Sequence, residues 1–301
     1  MKGESWFGDS LPAARPEHIK DGNISDMRRK FVEKTIARLI FFILIAAAVL
    51  TAQGLEAADK EDPQRAEILR KVRVLLKDGD TFEAIEFLNS LGKPETVAER
   101  YSDLVRDLYW KERAVPELVT IARAGIQYCL TKAQEIEAED AELAKELRSA
   151  AKTNAYNLAS FTWPGWDHEG IVINQAELAA GLDAAKVNLR LARELEKGPL
   201  RVSMAYWVLG AQYMAAGKHS EALEAFVLSK EQAHASLDSL YELLASGYVG
   251  VAKIAGVTNR AEGERELEEA IESLKKFRTD DAQFCIDQLR TAVKVFGGDT
   301  E

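Results

Sequence analysis

Residues 203–236 read SMAYWVLGAQYMAAGKHSEALEAFVLSKEQAHAS. Apolar side chains recur there at intervals of three and four, the spacing that puts them on one face of a helix. A glycine at Gly217 divides the stretch into two such helices. Within the first, Tyr206, Leu209, Gly210 and Tyr213 form one stripe, and Ala222 and Phe226 follow in the second. Each residue type has a packing role. Tyr206 opens the first helix with bulk, and Gly210 beside Leu209 removes a Cβ so that the second helix can approach. Tyr213 fills the layer beneath, Ala222 permits a close crossing, and Phe226 closes the core between the two helices.

The pattern returns elsewhere. Thirty-five residues on, Tyr241, Leu244, Ala245 and Tyr248 match Tyr206, Leu209, Gly210 and Tyr213, with Ala270, Leu274 and Phe277 in the small and aromatic roles of a displaced second helix. A weaker copy runs through Ile68, Leu75, Gly79, Ala84 and Leu88. A fixed period of 34–35 residues built from helix pairs resembles the tetratricopeptide repeat. The resemblance is strong over 203–236, fair over 237–277 and 68–91, and faint between, where residues 95–196 keep the helix-pair rhythm without the signature.

That resemblance implies an all-α fold, an α-solenoid of about five antiparallel helix pairs. Residues 280–296 form a last helix capping the terminal pair, whose apolar face is otherwise left in water. Apolar periodicity from Pro63 onward predicts helices at 64–78, 81–92, 95–112, 115–134, 138–161, 175–196, 200–216, 219–235, 237–255, 260–277 and 280–296, broken at Asp78-Gly79-Asp80, Gly92-Lys93-Pro94, Gly198-Pro199 and Gly217-Lys218. Only 7 Pro and 19 Gly in 301 residues suit long helices with short turns.

Residues 1–57 read as an address rather than as part of the fold. Five basic side chains and one acidic occupy 28–38 (RRKFVEKTIAR), and the twelve apolar residues Leu39 to Leu50 follow before a small-residue stretch. Basic, apolar, small is the order of a secretory signal peptide. The apolar run is short against the ~20 residues of a membrane span, so a cleaved signal is expected, with an uncleaved anchor as the alternative and as the only route to a membrane. Cleavage near Ala58 leaves a domain at 58–301 that is periplasmic or secreted. Met27, just before the basic run, is an alternative start.

Charge and reactive residues narrow the function. Residues 1–57 hold 8 basic and 7 acidic side chains; the remainder holds 31 and 42. So acidic a surface repels phosphate backbones, and no basic stripe interleaved with aromatics offsets it, which argues against nucleic acid. Cys129 and Cys285 are too few for a disulfide framework and lie in helices about three pairs apart, so they are expected to stay unjoined. Four scattered histidines show no metal-ligand spacing, and no nucleophile elbow or glycine-rich phosphate loop is present. No catalytic, metal or cofactor residue is assigned, and an enzyme is not expected.

Two features point to binding. In tetratricopeptide arrays the first helices line a concave groove through positions 2, 5, 9 and 12 of the repeat, here Met204, Trp207, Ala211 and Met214; a second stripe already serves inter-helix packing, so this helix is apolar nearly all round. Either a ligand or another piece of this chain covers Trp207. In the next repeat the same positions are Ser239, Glu242, Ser246 and Val249, largely polar, which suggests a groove with an apolar end at Trp207 and a polar end at Glu242. The second feature is FTWPGWDHEG at 161–170, where Trp163 and Trp166 sit in an insertion longer than a repeat turn requires. They either cover the end of the core or contact a ligand. Lying outside the signature positions, the pair is expected to matter more for binding or local order than for stability.

The function expected from these residues is an exported scaffold that holds a protein or peptide segment in its groove. The alternative is a periplasmic binder of a small apolar solute, similar in architecture and export to the T component of a TRAP transporter. An exposed Trp207 belongs to the first reading and an enclosed one to the second.

Overall fold

The computed structural model describes residues 63–256 and 259–298. The signal peptide, its apolar core at 39–50, the cleavage point near Ala58 and the Met27 start all lie outside these residues. Among the described residues there are eleven α-helices and no strand. They are α1 (Pro63–Lys77), α2 (Thr81–Asn89), α3 (Pro94–Trp110), α4 (Val115–Ile136), α5 (Ala141–Phe161), α6 (Gln175–Glu194), α7 (Pro199–Ala215), α8 (His219–Ala235), α9 (Ser239–Ala255), α10 (Arg260–Lys275) and α11 (Asp280–Phe296), with a 3-10 turn at Pro164–Trp166 between α5 and α6. None is long and apolar enough to cross a membrane.

Local signals start these helices where the sequence expects them. Asp80, Asp140, Asn174, Asp238 and Thr279 cap α2, α5, α6, α9 and α11 by accepting a backbone N–H from the first turn. Asn174 and Glu177 complete a reciprocal capping box. Pro stands in the first turn of α3, α4 and α7, where its missing N–H is no loss.

Seven of the turns between helices share one backbone device. A residue in the left-handed region stands shortly before the next helix at Gly79, Gly92, Arg113, Glu196, Gly217, Leu237 and Arg278. In four of these turns the following N–H donates to the carbonyl five residues back, as Asp80 to Leu75, Lys197 to Ala192, Lys218 to Tyr213 and Asp238 to Ala233. These are Schellman closures, which satisfy the last carbonyls of one helix and reverse the chain into the next. Glycine marks three of the seven positions; the other four are Arg, Glu, Leu and Arg, which no glycine rule finds.

Each helix packs on its neighbours in the chain, α7 on α8 and α9 on α10 most extensively. Pairs expected from the repeat signature are in contact as expected. A Cβ on Gly210 would lie 2.8 Å from the Phe226 ring, so only glycine allows α8 this close to α7. Ala222, Phe226, Leu244, Ala245, Tyr248, Ala270 and Leu274 are buried. Phe277 departs from its expected core role: it follows α10 and is 41% exposed.

Contacts also join helices distant in sequence. α5 packs on α3 and α7, α9 packs on α11, and the 3-10 turn packs on both α7 and α11. The middle of the chain therefore meets its last helix, and the 161–170 segment is where they meet.

Candidate functional site

α5 is nearly enclosed over its last turns, from Ala155 to Phe161. Its end is pinned by Thr162, whose hydroxyl donates to the Leu158 carbonyl at 2.7 Å, and by Gln212 of α7, whose amide donates to the Ala159 carbonyl at 2.5 Å. The chain then turns over on itself. Trp163 is extended, Pro164 opens the 3-10 turn, and Asp167 closes it in the left-handed region. Gly165 lies flat against the Trp163 indole, where a Cβ would come within 2.2 Å of Cζ2. The Trp166 Nε1–H donates to the Ser160 carbonyl at 2.7 Å, fastening the far side.

This turn plants Trp163 in the centre of an aromatic cluster. Its ring centroid is 5.1 Å from Trp166, 5.8 Å from Trp207 of α7, 6.1 Å from Tyr248 of α9 and 5.9 Å from Phe296 of α11, on which it stacks. Tyr248 stacks in turn on Phe226. The loop continues to α3, where the Tyr109 hydroxyl and His168 Nδ1 share a 2.8 Å hydrogen bond and Arg113 donates to the Glu169 carbonyl. Burial, assisted by the Arg113 charge and opposed by Asp167, holds the His168 pKa below its ordinary value. Lys294 of α11 pairs with Asp167 at the rim.

Two sequence expectations change here. Met204, Trp207, Ala211 and Met214 are not an open groove face: they are 7%, 5%, 0% and 1% exposed. The 161–170 turn and Tyr248 supply the cover of Trp207, because large apolar rings are more stable against one another than in water. The polar continuation behaves differently. Ser239 is exposed, Glu242 is half-buried and reaches His234 Nδ1 at 3.2 Å, and only Val249 is buried. The second correction concerns Trp163 and Trp166. Trp163 is 1% exposed and among the largest fully buried side chains, so it is core; Trp166 is half-buried beside it.

The cluster is not wholly apolar. The Tyr248 hydroxyl has the Gln288 amide and the Trp207 indole N–H as hydrogen-bonding neighbours, whereas Trp163 Nε1, an obligate donor, is buried with no hydrogen-bond partner among the described residues. Such a group rarely stays unpaired in a protein interior, since an unmet bond costs about 1–3 kcal/mol. Tyr156 of α5 lies within electrostatic reach of Tyr248, Tyr241 and Arg201.

Sequence reasoning found Trp163, Trp166 and Trp207 but not Tyr248 as a ring partner, nor Gln288, Phe296 or Tyr156. No motif marks them; Phe296 is simply the last residue of an amphipathic helix. A separate open cleft of about 730 Å³ lies between α2, α3 and α4, lined by Ile85, Pro94, Tyr101, Tyr128, Lys132 and Glu135 among others. Tyr101 in its floor donates to the Asn89 side-chain oxygen. Among the described residues no three His, Cys, Asp or Glu side chains converge as metal ligands, and both cysteines are free and buried.

The fold and site together define an all-helical protein of adjacent helix pairs, compatible with a helical repeat, whose interior holds an aromatic cluster with a buried, unpaired indole N–H. No protein-family model and no curated protein matches the sequence.

Proposed function

We propose that this chain is an exported binding protein for a small organic solute, built as an α-solenoid of antiparallel, tetratricopeptide-like helix pairs and similar in architecture to the T component of a TRAP transporter. One observation carries the choice of solute over peptide. Trp207, the residue on which a groove-bound peptide anchor would rest, is enclosed by Trp163, Trp166 and Tyr248, with the Trp163 indole N–H buried and without a partner among the described residues in the same cluster. A small molecule with ring or alkyl character and one or two polar atoms complements such a lining, as in ligand sites generally, which are mostly apolar with a few placed polar groups. A peptide would need the same surface open.

The repeat assignment is supported by the shared turn geometry and by the Gly210–Phe226 approach, and the export reading by the basic–apolar–small order at 28–57. The test is direct. Small aromatic and aliphatic metabolites are titrated into the full chain while tryptophan emission and melting temperature are followed. Binding quenches or shifts the emission and raises the melting temperature, and Trp207→Phe alters the emission response. A chain that responds to no small solute, yet captures an extended peptide in a Trp207-dependent manner, returns the function to the groove reading.

A further inference from the structure

The open cleft of about 730 Å³ between α2, α3 and α4 shares no residue with the aromatic cluster. It follows from helix lengths. α2, the second helix of its pair, has 9 residues, whereas its counterpart α4 has 22. α2 packs on α1 and α3, α4 packs on α3 and α5, and the cleft opens between these two second helices. Ala124, Tyr128, Thr131 and Glu135 follow at intervals of four, three and four along α4, and Ile85 and Asn89 at four along α2. Each helix therefore turns one stripe to the cleft.

The floor is apolar and fixed. Tyr101 of α3 is fully buried, and its ring centroid lies 5.9 Å from that of Tyr128. A Cβ on Gly125 would come 2.9 Å from Tyr101 Cγ, so α4 is pressed directly onto that ring. Ile85, Pro94 and Ala124 extend the apolar surface. Tyr128 is only half-buried, which leaves part of its ring to the cleft.

The polar groups around this floor are neutral or neutralised in pairs. The Tyr101 hydroxyl donates to Asn89 Oδ1 at 2.9 Å, which orients the exposed Asn89 amide and leaves its NH2 to donate. Gln127 Nε2 donates to Thr131 Oγ1 at 3.0 Å, so Gln127 keeps a carbonyl that accepts and Thr131 a hydroxyl that donates. Lys132 Nζ pairs with Glu135 at 2.6 Å, closing the charges of the rim on each other. An ionic ligand finds no unmatched charge here. A ligand whose hydroxyls both donate and accept matches every group in turn. An extended peptide fits less well, because its amides recur about every 3.3 Å along one line, whereas these partners stand on two separate helices.

We propose that this cleft is a saccharide site, in which a neutral pyranose ring lays its C–H face on Tyr128 while its hydroxyls bond Asn89, Gln127 and Thr131. The cleft lies within the roughly 300–1,000 Å³ of ligand sites generally, and its volume suits two linked rings better than one. It is a second site, and it does not rest on the Trp207 reading.

Calorimetry on the full chain tests the assignment with cellobiose and methyl β-glucoside. The controls are sorbitol, which has the hydroxyls without the ring, and cyclohexanol, which has a ring without the hydroxyl array. Both sugars should bind, the disaccharide more tightly, and neither control should. Glucuronate should bind no better than the neutral glucoside; a tenfold gain would overturn the neutral-ligand assignment. Gln127 and Thr131 are exposed, so their variants should fold, which thermal melts verify. Gln127→Ala should weaken cellobiose binding about 3- to 10-fold, the loss of one neutral hydrogen bond. Thr131→Trp, which fills the cleft with an indole, should abolish it, and Trp207→Phe should leave it unchanged. Cellobiose binding that survives Thr131→Trp but is lost in Trp207→Phe would move the sugar to the aromatic cluster and overturn the cleft site. Silent sugars, with an uncharged Ala-Pro repeat hexapeptide binding the parent but not Thr131→Trp, would make the cleft a peptide groove instead. No heat from any probe would overturn the cleft as a ligand site and leave the Trp207 reading to its own test.

Discussion

The helix pair 199–235 and the turn 161–170 bury tryptophans 5.8 Å apart, by two different routes. In the helix pair, the contacts that join its two helices are made between partners close in sequence. Gly210 faces Phe226, and the Ser203 and Ser229 hydroxyls exchange bonds with each other's backbone carbonyls. The spacing of residue types along the chain is then a direct record of the packing. In the turn, nearly every contact is distant: Trp163 meets Trp207, Tyr248 and Phe296, and Asp167 meets Lys294. Nothing in the order of residues 161–170 says where those partners are. The helix pair is a unit that repetition can propagate; the turn is a fastener that joins units already formed.

The largest expected effect separates the two routes most sharply. Trp163→Ala removes a fully buried indole from the meeting point of α5, α7, α9 and α11, and should destabilise the protein by roughly 3–5 kcal/mol in urea unfolding. It should also make the transition less cooperative, because the helix pairs lose their shared anchor. A loss under about 1 kcal/mol with an unchanged slope would reduce the turn to a surface ornament and undo the comparison.

A smaller effect is expected within the helix pair. Gly210→Ala places a methyl group 2.8 Å from the Phe226 ring, which should destabilise by about 1–3 kcal/mol through overpacking, even though alanine is the better helix former. Phe226→Leu in the same chain should recover part of that loss, and the coupling energy of the double-mutant cycle measures the contact itself. Simple additivity of the two changes would show that α7 and α8 do not meet through this pair.

The smallest effect concerns the rim. Lys294→Ala deletes the ion pair with Asp167, whose side chains are 75% and 45% exposed. Exposed pairs contribute at most about 1 kcal/mol and are weakened further by salt. The melting temperature should move by no more than a few degrees, and the difference should vanish in high salt. A loss as large as that of Trp163→Ala would mean that charge, not ring packing, holds the turn against α11.

Helix periodicity, helix boundaries and the Tyr206–Phe226 core were legible in the sequence because each depends on neighbours within about 35 residues. Caps and prolines mark most helix starts for the same reason. The left-handed turns were legible only where glycine occupies them. Gly217 announced its turn, whereas Leu237 adopts the same conformation at φ 58° and announced nothing. Its helix pair imposes the conformation against an intrinsic preference of about 1–2 kcal/mol.

The candidate site divides along the same line. The Met204–Trp207–Ala211–Met214 stripe was visible as a second apolar face on α7, and an apolar face on both sides of a helix requires burial on both sides. Which body covers it was not decided by that pattern, since a partner, a ligand and a distant part of the chain satisfy the hydrophobic effect equally well. Only the tertiary structure brings Trp163 to Trp207 and Phe296, and gives the Tyr248 hydroxyl Gln288 and Trp207 as neighbours. These juxtapositions join residues far apart in sequence: periodicity reports which face of a helix is buried, and charge and ring partners across the fold are chosen by how the faces meet.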